Sequence, residues 1–496
     1  MAGDAEGSVI PFPGADSASP LPSILSDPRW HRALLLVFAV LFVFTRLWET
    51  SLASYDDTYY AEKAKEILIT GQWLVPPWDY KPAFDNTPLT LWGMAVAFWL
   101  FGISEFTARL LPGLAGVGCV LLTYHAGRRY FGDWVGFFAG AALLTTPYFL
   151  KYSRHAMLDT VQTLLVGGAL LLLIGGLDRD RGVAWDLAAG VVAGLAVLNK
   201  SVLGLLPFAL YFLHVGITRP PWRRALRPGV WLALLAGLAL PSAWFGAVTL
   251  RHGEAFLRQH FGYILWHRAL HGDPGETVVW TSYLDYLAGL FSNFLPWILL
   301  ALYGGLRVLR EGGRRERRWL PVTWAAGTIG LMTLSAAKKS WYVLPAYPAL
   351  AVLAGVGIDA LLARRPWLRE RYAAGLAGLL LAAHLIAAAT PVALGEDRNR
   401  DLKVVAAAAR AAVPPGSHVM NFNLLPPWKY VSPLYFYADR PLASPETDLA
   451  VMERIVANRE GAAILTDPPT YQRLSQALGR SPRILAASGE LILFAP

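Results

Sequence analysis

ALLLVFAVLFVF, residues 33–44, carries no polar side chain, and ten residues later the chain reads SYDDTYYAEKAKEILITGQW (54–73). An apolar run extended by its flanks to about 20 residues crosses a bilayer core as helix, because only a helix satisfies its own backbone polar groups there. Two adjacent carboxylates, Asp56 and Asp57, then stand at the exit point. Acids in that place either cap the next helix, since Asp favours a helix N-terminus, or they work at the membrane boundary. Both roles are compatible: Asp57 reads as the cap and Asp56 as the base.

The apolar signature recurs in TLLVGGALLLLIGGL (163–177) and AAGLAGLLLAAHLIAAA (373–389). Of 496 residues, 55% are hydrophobic and 16% charged, with a mean hydropathy of +0.40; soluble domains carry more charge. The fold class is therefore mostly α, a polytopic membrane helix bundle. Spans are expected at 33–52, 107–127, 134–150, 160–177, 183–199, 202–218, 228–249, 284–306, 320–336, 341–363 and 372–395. With a cytoplasmic N-terminus, the clusters Arg128–Arg129, Arg179/Arg181, Arg219/Arg223/Arg224/Arg227, Arg307–Arg318 and Arg364–Arg371 then all fall inside, as the positive-inside rule requires. Counting PLTLWGMAVAFWLFGIS (88–104) as a crossing would reverse this, so it is expected to be interfacial or re-entrant. The net charge of +9 thus reflects topology and not a nucleic-acid partner. The single cysteine, Cys119, excludes an intramolecular disulfide and a thiolate metal cluster.

All nine lysines fall on the expected outer side, while inner loops use arginine. Lys200, in AVLNKSVLGLL (196–206), has apolar sequence on both sides; a charge there faces a cavity and a partner, or snorkels to the headgroups. After residue 395, strand-like stretches (HVMNFNL, GAAILTD, ELILFAP) alternate with helical ones, enough for a small α/β domain that parity places outside. The plan is a loose tail over 1–30, a transmembrane unit over 31–395 with an outer loop at 53–106, and an outer domain over 396–496.

Four outer segments bring both signs of charge to one face. Loop 53–106 supplies Asp56, Asp57, Glu62, Lys81, Asp85 and Glu105; KYSRHAMLD (151–159) supplies Arg154, His155 and Asp159; segment 250–283 supplies His260, His267, Arg268 and His271; the turn 337–342 supplies Lys338, Lys339 and Tyr342. Such a cavity suits transfer of a group from a phosphate-linked lipid. Cations hold the leaving phosphate, and a carboxylate takes the proton of an acceptor hydroxyl and offsets oxocarbenium charge. No metal ligands occur at convincing spacing, and no cofactor is required. His260 and His267, seven apart, are read as polar contacts.

The ordered set YDDTYYAEKAKEILITGQWLVP (55–76), FDNTPLTLW (84–92), LFGISEFTARLLPGLAG (100–116), RRYFGDWVGFFAGAALLTTPYFLKYSRHAMLDTVQTLL (128–165), LNKSVLGLLPF (198–208), SYLDYLAGLFSNFLPW (282–297) and KKSWYVLPAYPALAVLAG (338–355) resembles the bacterial membrane glycosyltransferases related to aminoarabinose transferase and protein O-mannosyltransferases. The resemblance covers roughly residues 30–360 and implies the C-type glycosyltransferase fold. It also implies a polyprenyl-phosphate sugar donor, a lipid, glycan or protein Ser/Thr acceptor, and a periplasmic site in the bacterial inner membrane. By it Asp56 is the catalytic carboxylate, with Asp57 its neighbour and Asp159 the acid after the third crossing. Lys200, Lys339 and Tyr342 face the lipid phosphate, with Arg268 and His267 a looser His/Arg element. Asp85 takes the acidic place of a Phe-acid-Lys-Pro-Pro pattern, but Asn86-Thr87-Pro88 stands where that pattern has Lys-Pro-Pro. Lys81 is the expected substitute, and Arg154 is expected to support the site. A carrier without chemistry is the alternative reading, disfavoured because the two halves show no inverted repeat.

Overall fold

The computed structural model describes residues 27–53, 56–178, 182–272, 284–311, 318–363, 367–390, 397 and 399–496. Most of the expected N-terminal tail and the arginines at 179, 181, 364 and 365 lie outside these residues. Helix α1 (Pro28–Phe44) starts with Pro28 in its first turn and Asp27 accepting the Arg29 N–H at 2.8 Å. It ends at Phe44 and not at 52. Two guanidinium groups, Arg109 buried and Arg154 half-buried, draw out the backbone that follows. Arg154 donates to the carbonyls of Phe42, Val43 and Thr45 at 2.8, 2.9 and 3.0 Å, and Arg109 to those of Leu47, Thr50 and Ser51 at 2.8, 3.0 and 2.7 Å. Arg154 is thus a cap for the end of α1.

Helix α2 (Asp56–Thr70) leads to a short hairpin, β1 (Pro77–Trp78) and β2 (Lys81–Pro82), and then to α3 (Leu89–Phe101). At 13 residues α3 is about 20 Å long, short of a hydrocarbon core of about 30 Å; its Leu91, Met94, Ala95 and Phe98 pack with Ala61, Ala64 and Ile67 of α2. Helix α4 (Glu105–Phe131) follows. The expected span 134–150 is broken: α5 (Asp133–Leu144) stops where the Thr145 and Thr146 hydroxyls bond back to Ala141 and Ala142, both at 2.7 Å, and α6 (Pro147–Ser153) restarts at Pro147. Helix α7 (Asp159–Asp178) packs against α8 (Val183–Lys200) and α9 (Leu206–Thr218). Between the last two the chain folds back through a 3₁₀ turn, with Ser201 at φ 47° and Gly204 pressed on the Val197 backbone, where a Cβ would lie 2.0 Å from the nitrogen.

Farther on, the expected span 284–306 is two helices, Asp285–Asn293 and Trp297–Arg310, bent by 111°. Pro228–Phe256, Leu320–Leu334, Tyr347–Leu362 and Trp367–Ala389 complete the bundle. Among the described residues six helices are long and apolar enough to cross a membrane, or seven counting the bent pair as one. One of these stretches, Val183–Thr218, contains the fold-back at Ser201 and so holds two of the expected spans. In Trp367–Ala389, Leu379, Leu385 and Ile386 are 66%, 58% and 57% exposed, a surface that only lipid covers favourably.

Small residues let the central helices touch. Gly190 and Gly194 of α8, four apart, face Ala233 and Gly237 of Pro228–Phe256, and a Cβ on Gly190 would lie 2.3 Å from the Ala233 carbonyl oxygen. Beyond residue 399, a five-stranded sheet has the order β4-β3-β5-β7-β6. Strands β3 (Val419–Phe422), β4 (Leu442–Glu446) and β5 (Ile464–Thr466) are mutually parallel where they pair, while β6 (Ile484–Ser488) and β7 (Leu491–Phe494) are antiparallel.

This α/β unit is fastened to α2. The buried Lys65 ammonium donates to Glu62 at 2.8 Å, pairs with Asp439 at 2.5 Å and meets the carbonyls of Tyr435 and Phe436 at 3.3 and 3.1 Å. Thr58 and Ser432 share a hydrogen bond of 2.9 Å.

Gly190→Leu is expected to destabilise the detergent-solubilised protein by about 1–3 kcal/mol or more through overpacking, lowering its thermal midpoint. Gly216→Leu, where a Cβ meets nothing within 4 Å, is expected to leave the midpoint unchanged.

Candidate active site at the ends of α2, α7 and α8

Asp56 and Asp57 occupy the first turn of α2, where the helix dipole favours negative charge. Their surroundings separate them. Asp57 is 1% exposed, and its carboxylate accepts from His155 Nδ1 at 3.1 Å and from the Ala53 N–H at 3.3 Å. Burial pushes its carboxyl up, but His155 and Arg109 outweigh that and hold it below the ordinary value. The pair fixes the start of α2.

Asp56 is half-buried and lacks such a partner among the described contacts. Burial raises its carboxyl to about 6, helped by the negative charges of Asp159 and Asp57 and opposed by Lys200 and Lys339. Tyr60, one turn along α2, is held protonated by burial and by Asp56 and Asp159.

Asp159 opens α7 and Lys200 closes α8, and the two form a buried ion pair. The Lys200 ammonium also lies 4.5 Å from the ring centre of Tyr342. Lys339 accepts the Tyr342 N–H on its carbonyl at 2.9 Å, so the turn holds these two residues together. The second oxygen of Asp159, Oδ2, is buried with no hydrogen-bond partner among the described residues. Beside this pair, Asn199 donates to the Leu158 carbonyl at 3.1 Å and to Gln162 at 3.0 Å, locking α8 to α7.

A second cluster gathers on Asp85. Lys63 donates to Asp85 at 2.7 Å and to the Asn86 side-chain oxygen at 3.1 Å, and the Tyr59 hydroxyl donates to Asp85 at 2.7 Å. Burial opposes the charge of Asp85, but Lys63 and Tyr59 hold its carboxyl below the ordinary value. The clusters are joined through His260. Its Nδ1 lies 2.7 Å from the Phe84 carbonyl, which only accepts, so Nδ1 carries the proton and Nε2 accepts from the Ser201 hydroxyl at 3.0 Å. Lys200 and Asp85 are thereby held in register.

The structure brings Asp56, Asp57, Asp159, Lys200, Lys339 and Tyr342 together, with Asp85 adjoining through His260. It does not bring in Lys81, which is exposed and 3.6 Å from Asp79. The hairpin turn carries Asp79 and Tyr80 at positive φ and aims the next residue outward, so the cation beside Asn86 is Lys63. Arg154 serves α1. His267 is exposed and stacks on Tyr263 and His271 at 5.5 and 4.7 Å. Arg268 meets the Lys338–Lys339 turn through its backbone, its carbonyl accepting from the Ala337 N–H at 3.2 Å. Among the described residues no three His, Cys, Asp or Glu side chains are grouped to hold a metal ion. Sequence reading places His155 at the outer face without its partner Asp57, and it misses the contribution of Lys63. Lys63 lies seven residues after Asp56, on the same helix face.

The family model described as dolichyl-phosphate-mannose-protein mannosyltransferase matches residues 85–245, which include Asp85, Asp159 and Lys200. An undecaprenyl phosphate-alpha-4-amino-4-deoxy-L-arabinose arabinosyl transferase of Pseudomonas fluorescens is 29% identical over 66% of this chain and 59% of its own. The match spans about three fifths of the length of such curated relatives. Among solved structures, ArnT from Cupriavidus metallidurans bound to undecaprenyl phosphate superposes with a TM-score of 0.74 at 22% identity, over 93% of this chain and 97% of the other. The archaeal oligosaccharyltransferase AglB from Archaeoglobus fulgidus, in complex with an inhibitory peptide and a dolichol-phosphate, gives 0.58 at 14% identity, over 88% and 69%. In fold and in a core of its sequence, this multi-pass membrane chain is thus similar to the aminoarabinose-transferase-like and protein O-mannosyltransferase-like membrane glycosyltransferases.

Proposed function

We propose that the protein moves a monosaccharide from a polyprenyl-phosphate donor to an acceptor at the periplasmic face of the bacterial inner membrane, with inversion at the sugar carbon. The observation that carries this reading is the unpaired, half-buried Asp56 beside the Asp159–Lys200 pair, Lys339 and Tyr342. On this reading the donor phosphate lies toward Lys200, Lys339, Tyr342 and Arg268, whose charges stabilise the leaving group as the glycosidic bond breaks. Asp56 faces the sugar carbon and the incoming acceptor. A carboxylate tuned to about 6 is ionised at neutral pH and still basic enough to receive a proton. Asp57, wholly buried and held by His155, positions α2, and Asp159 pairs with Lys200 beside hydrocarbon. The names of the relatives, with undecaprenyl phosphate or dolichol-phosphate in the matching structures, support the donor class.

The topology that goes with this reading has eleven crossings, α3 at the outer interface, the catalytic loop 53–106 outside, and the α/β domain in the periplasm above it. Its attachment through Lys65 supports that placement, because α2 and the domain must share one side.

Asp56→Asn is expected to reduce transfer in membranes at least about 100-fold, as loss of a general base does, with expression unchanged. The wild-type rate is expected to fall as pH drops through about 6, because protonation removes the base form; a rate flat from pH 5 to 8 contradicts the role. Native Cys119 is wholly buried, which keeps the background of a thiol-labelling test low. Cysteine at Tyr80 is expected to react with an impermeant thiol reagent in intact spheroplasts and cysteine at Arg310 only after lysis; the opposite pattern overturns the topology.

A further inference from the structure

We infer that Lys63 is a positioning residue of the transfer, holding the loop at 84–86 against α2 so that Asp56 and Lys200 keep a fixed separation. In this chain it supplies from the helix the positive charge that the Phe-acid-Lys-Pro-Pro pattern carries in the loop, where Asn86 stands. The inference rests on the transfer reading above and adds a residue to it.

Lys63 is 0% exposed, so it touches neither solvent nor an incoming molecule. Its ammonium donates to Asp85 Oδ1 at 2.7 Å and to the Asn86 side-chain oxygen at 3.1 Å. Tyr59, four residues earlier and so on the same helix face, donates from its hydroxyl to the other Asp85 oxygen, Oδ2, at 2.7 Å. Burial raises the Asp85 carboxyl, and Lys63 followed by Tyr59 more than reverses the rise. Both Asp85 oxygens and the Asn86 amide are thus gripped by one face of the helix that begins with Asp56.

The other side of the loop is tied to the end of α8. The Phe84 carbonyl accepts from His260 Nδ1 at 2.7 Å, and His260 Nε2 accepts at 3.0 Å from Ser201, the residue after Lys200. The loop is therefore a brace between the helix start that bears Asp56 and the helix end that bears Lys200. Removing Lys63 leaves Asp85 without its cation in a buried place and frees one end of the brace. A shift of about 1 Å between reacting groups costs on the order of 100-fold in rate.

Asn86 is the complement of this arrangement. A lysine at 86 would bring a second positive charge to where the amide oxygen now lies 3.1 Å from the first, with little water to screen the two. With an apolar residue at 63, the same lysine finds the Asp85 carboxylate open to it. One lysine is needed, and either position can carry it, but not both.

Wild type, Lys63→Met, Asn86→Lys and the double variant are each induced in a deletion strain. Mass spectrometry of glycolipids and glycoproteins follows the rate at which a sugar-sized mass appears, and the solubilised proteins are melted with and without undecaprenyl phosphate. Each single variant is expected to lower the rate by about 10- to 100-fold. The double variant is expected to be faster than both, a coupling that independent sites do not show. Stabilisation by undecaprenyl phosphate is expected to be equal in all four, because Lys63 orders the loop and does not hold the phosphate. A double variant no faster than the better single overturns the inference, as does Lys63→Met at the wild-type rate. Loss of the undecaprenyl-phosphate stabilisation in Lys63→Met also overturns it, by making Lys63 a binding residue. Should Lys63→Met fail to accumulate, Asn86→Lys against the double variant decides alone. These outcomes leave the transfer reading in place; a wild type that adds no sugar-sized mass overturns that reading, and the inference with it.

Discussion

A charge beside hydrocarbon persists only with an opposite charge or a hydrogen-bonding partner, and that constraint organises the outer end of this bundle. Lys200 ends a long apolar helix, Asp159 begins another, and each makes the other tolerable. Because the pair sits at two helix ends, it also fixes where those ends meet, and Asn199 and Gln162 repeat the lock one step inward. Lys63 with Asp85 and His155 with Asp57 obey the same rule. These pairs surround Asp56, for which no cation partner occurs among the described residues. Its difference from its neighbour is one of surroundings: Asp57 is enclosed and matched by His155, and Asp56 stands among like charges.

Rigidity comes from small residues and captured carbonyls. The Gly190–Gly194 and Ala233–Gly237 faces bring two helix backbones into contact, which in lipid replaces hydrophobic burial as the force holding helices together. Arg109 and Arg154 take up six carbonyls around the end of α1, satisfying backbone that would otherwise be orphaned near the membrane. The α/β unit grips α2 through Lys65 and Thr58. The helix that carries Asp56 is therefore held at its start by His155 and along its length by the C-terminal unit.

Much of this was legible in the sequence, for identifiable reasons. Lys200 announced itself because a lysine between apolar runs has few explanations, and the Asp-Asp pair because it follows the first apolar run. The break at Pro147 and the bend before Trp297 were misread as continuous spans, since apolar composition hides a helix end that hydroxyl back-bonding and a proline create. Nearness in sequence points to Lys81 as the cation beside Asn86. The fold reverses that choice, because the turn at Asp79–Tyr80 sends Lys81 outward while a helix face two turns from Asp56 delivers Lys63. The capping role of Arg154 had no sequence signal, because its partners are backbone carbonyls, which every residue has.

The central claim is that paired charges at the ends of α2, α7 and α8 form a receptacle in which Asp56 is the acting carboxylate. A structure of the protein with a polyprenyl-phosphate sugar bound tests it most directly. The account predicts the phosphate oxygens within about 3 Å of the Lys200 or Lys339 ammonium, and the Asp56 carboxylate facing the sugar carbon on the side away from the phosphate. A phosphate bound elsewhere, or an Asp56 that turns from the sugar to pair with a cation, would contradict it.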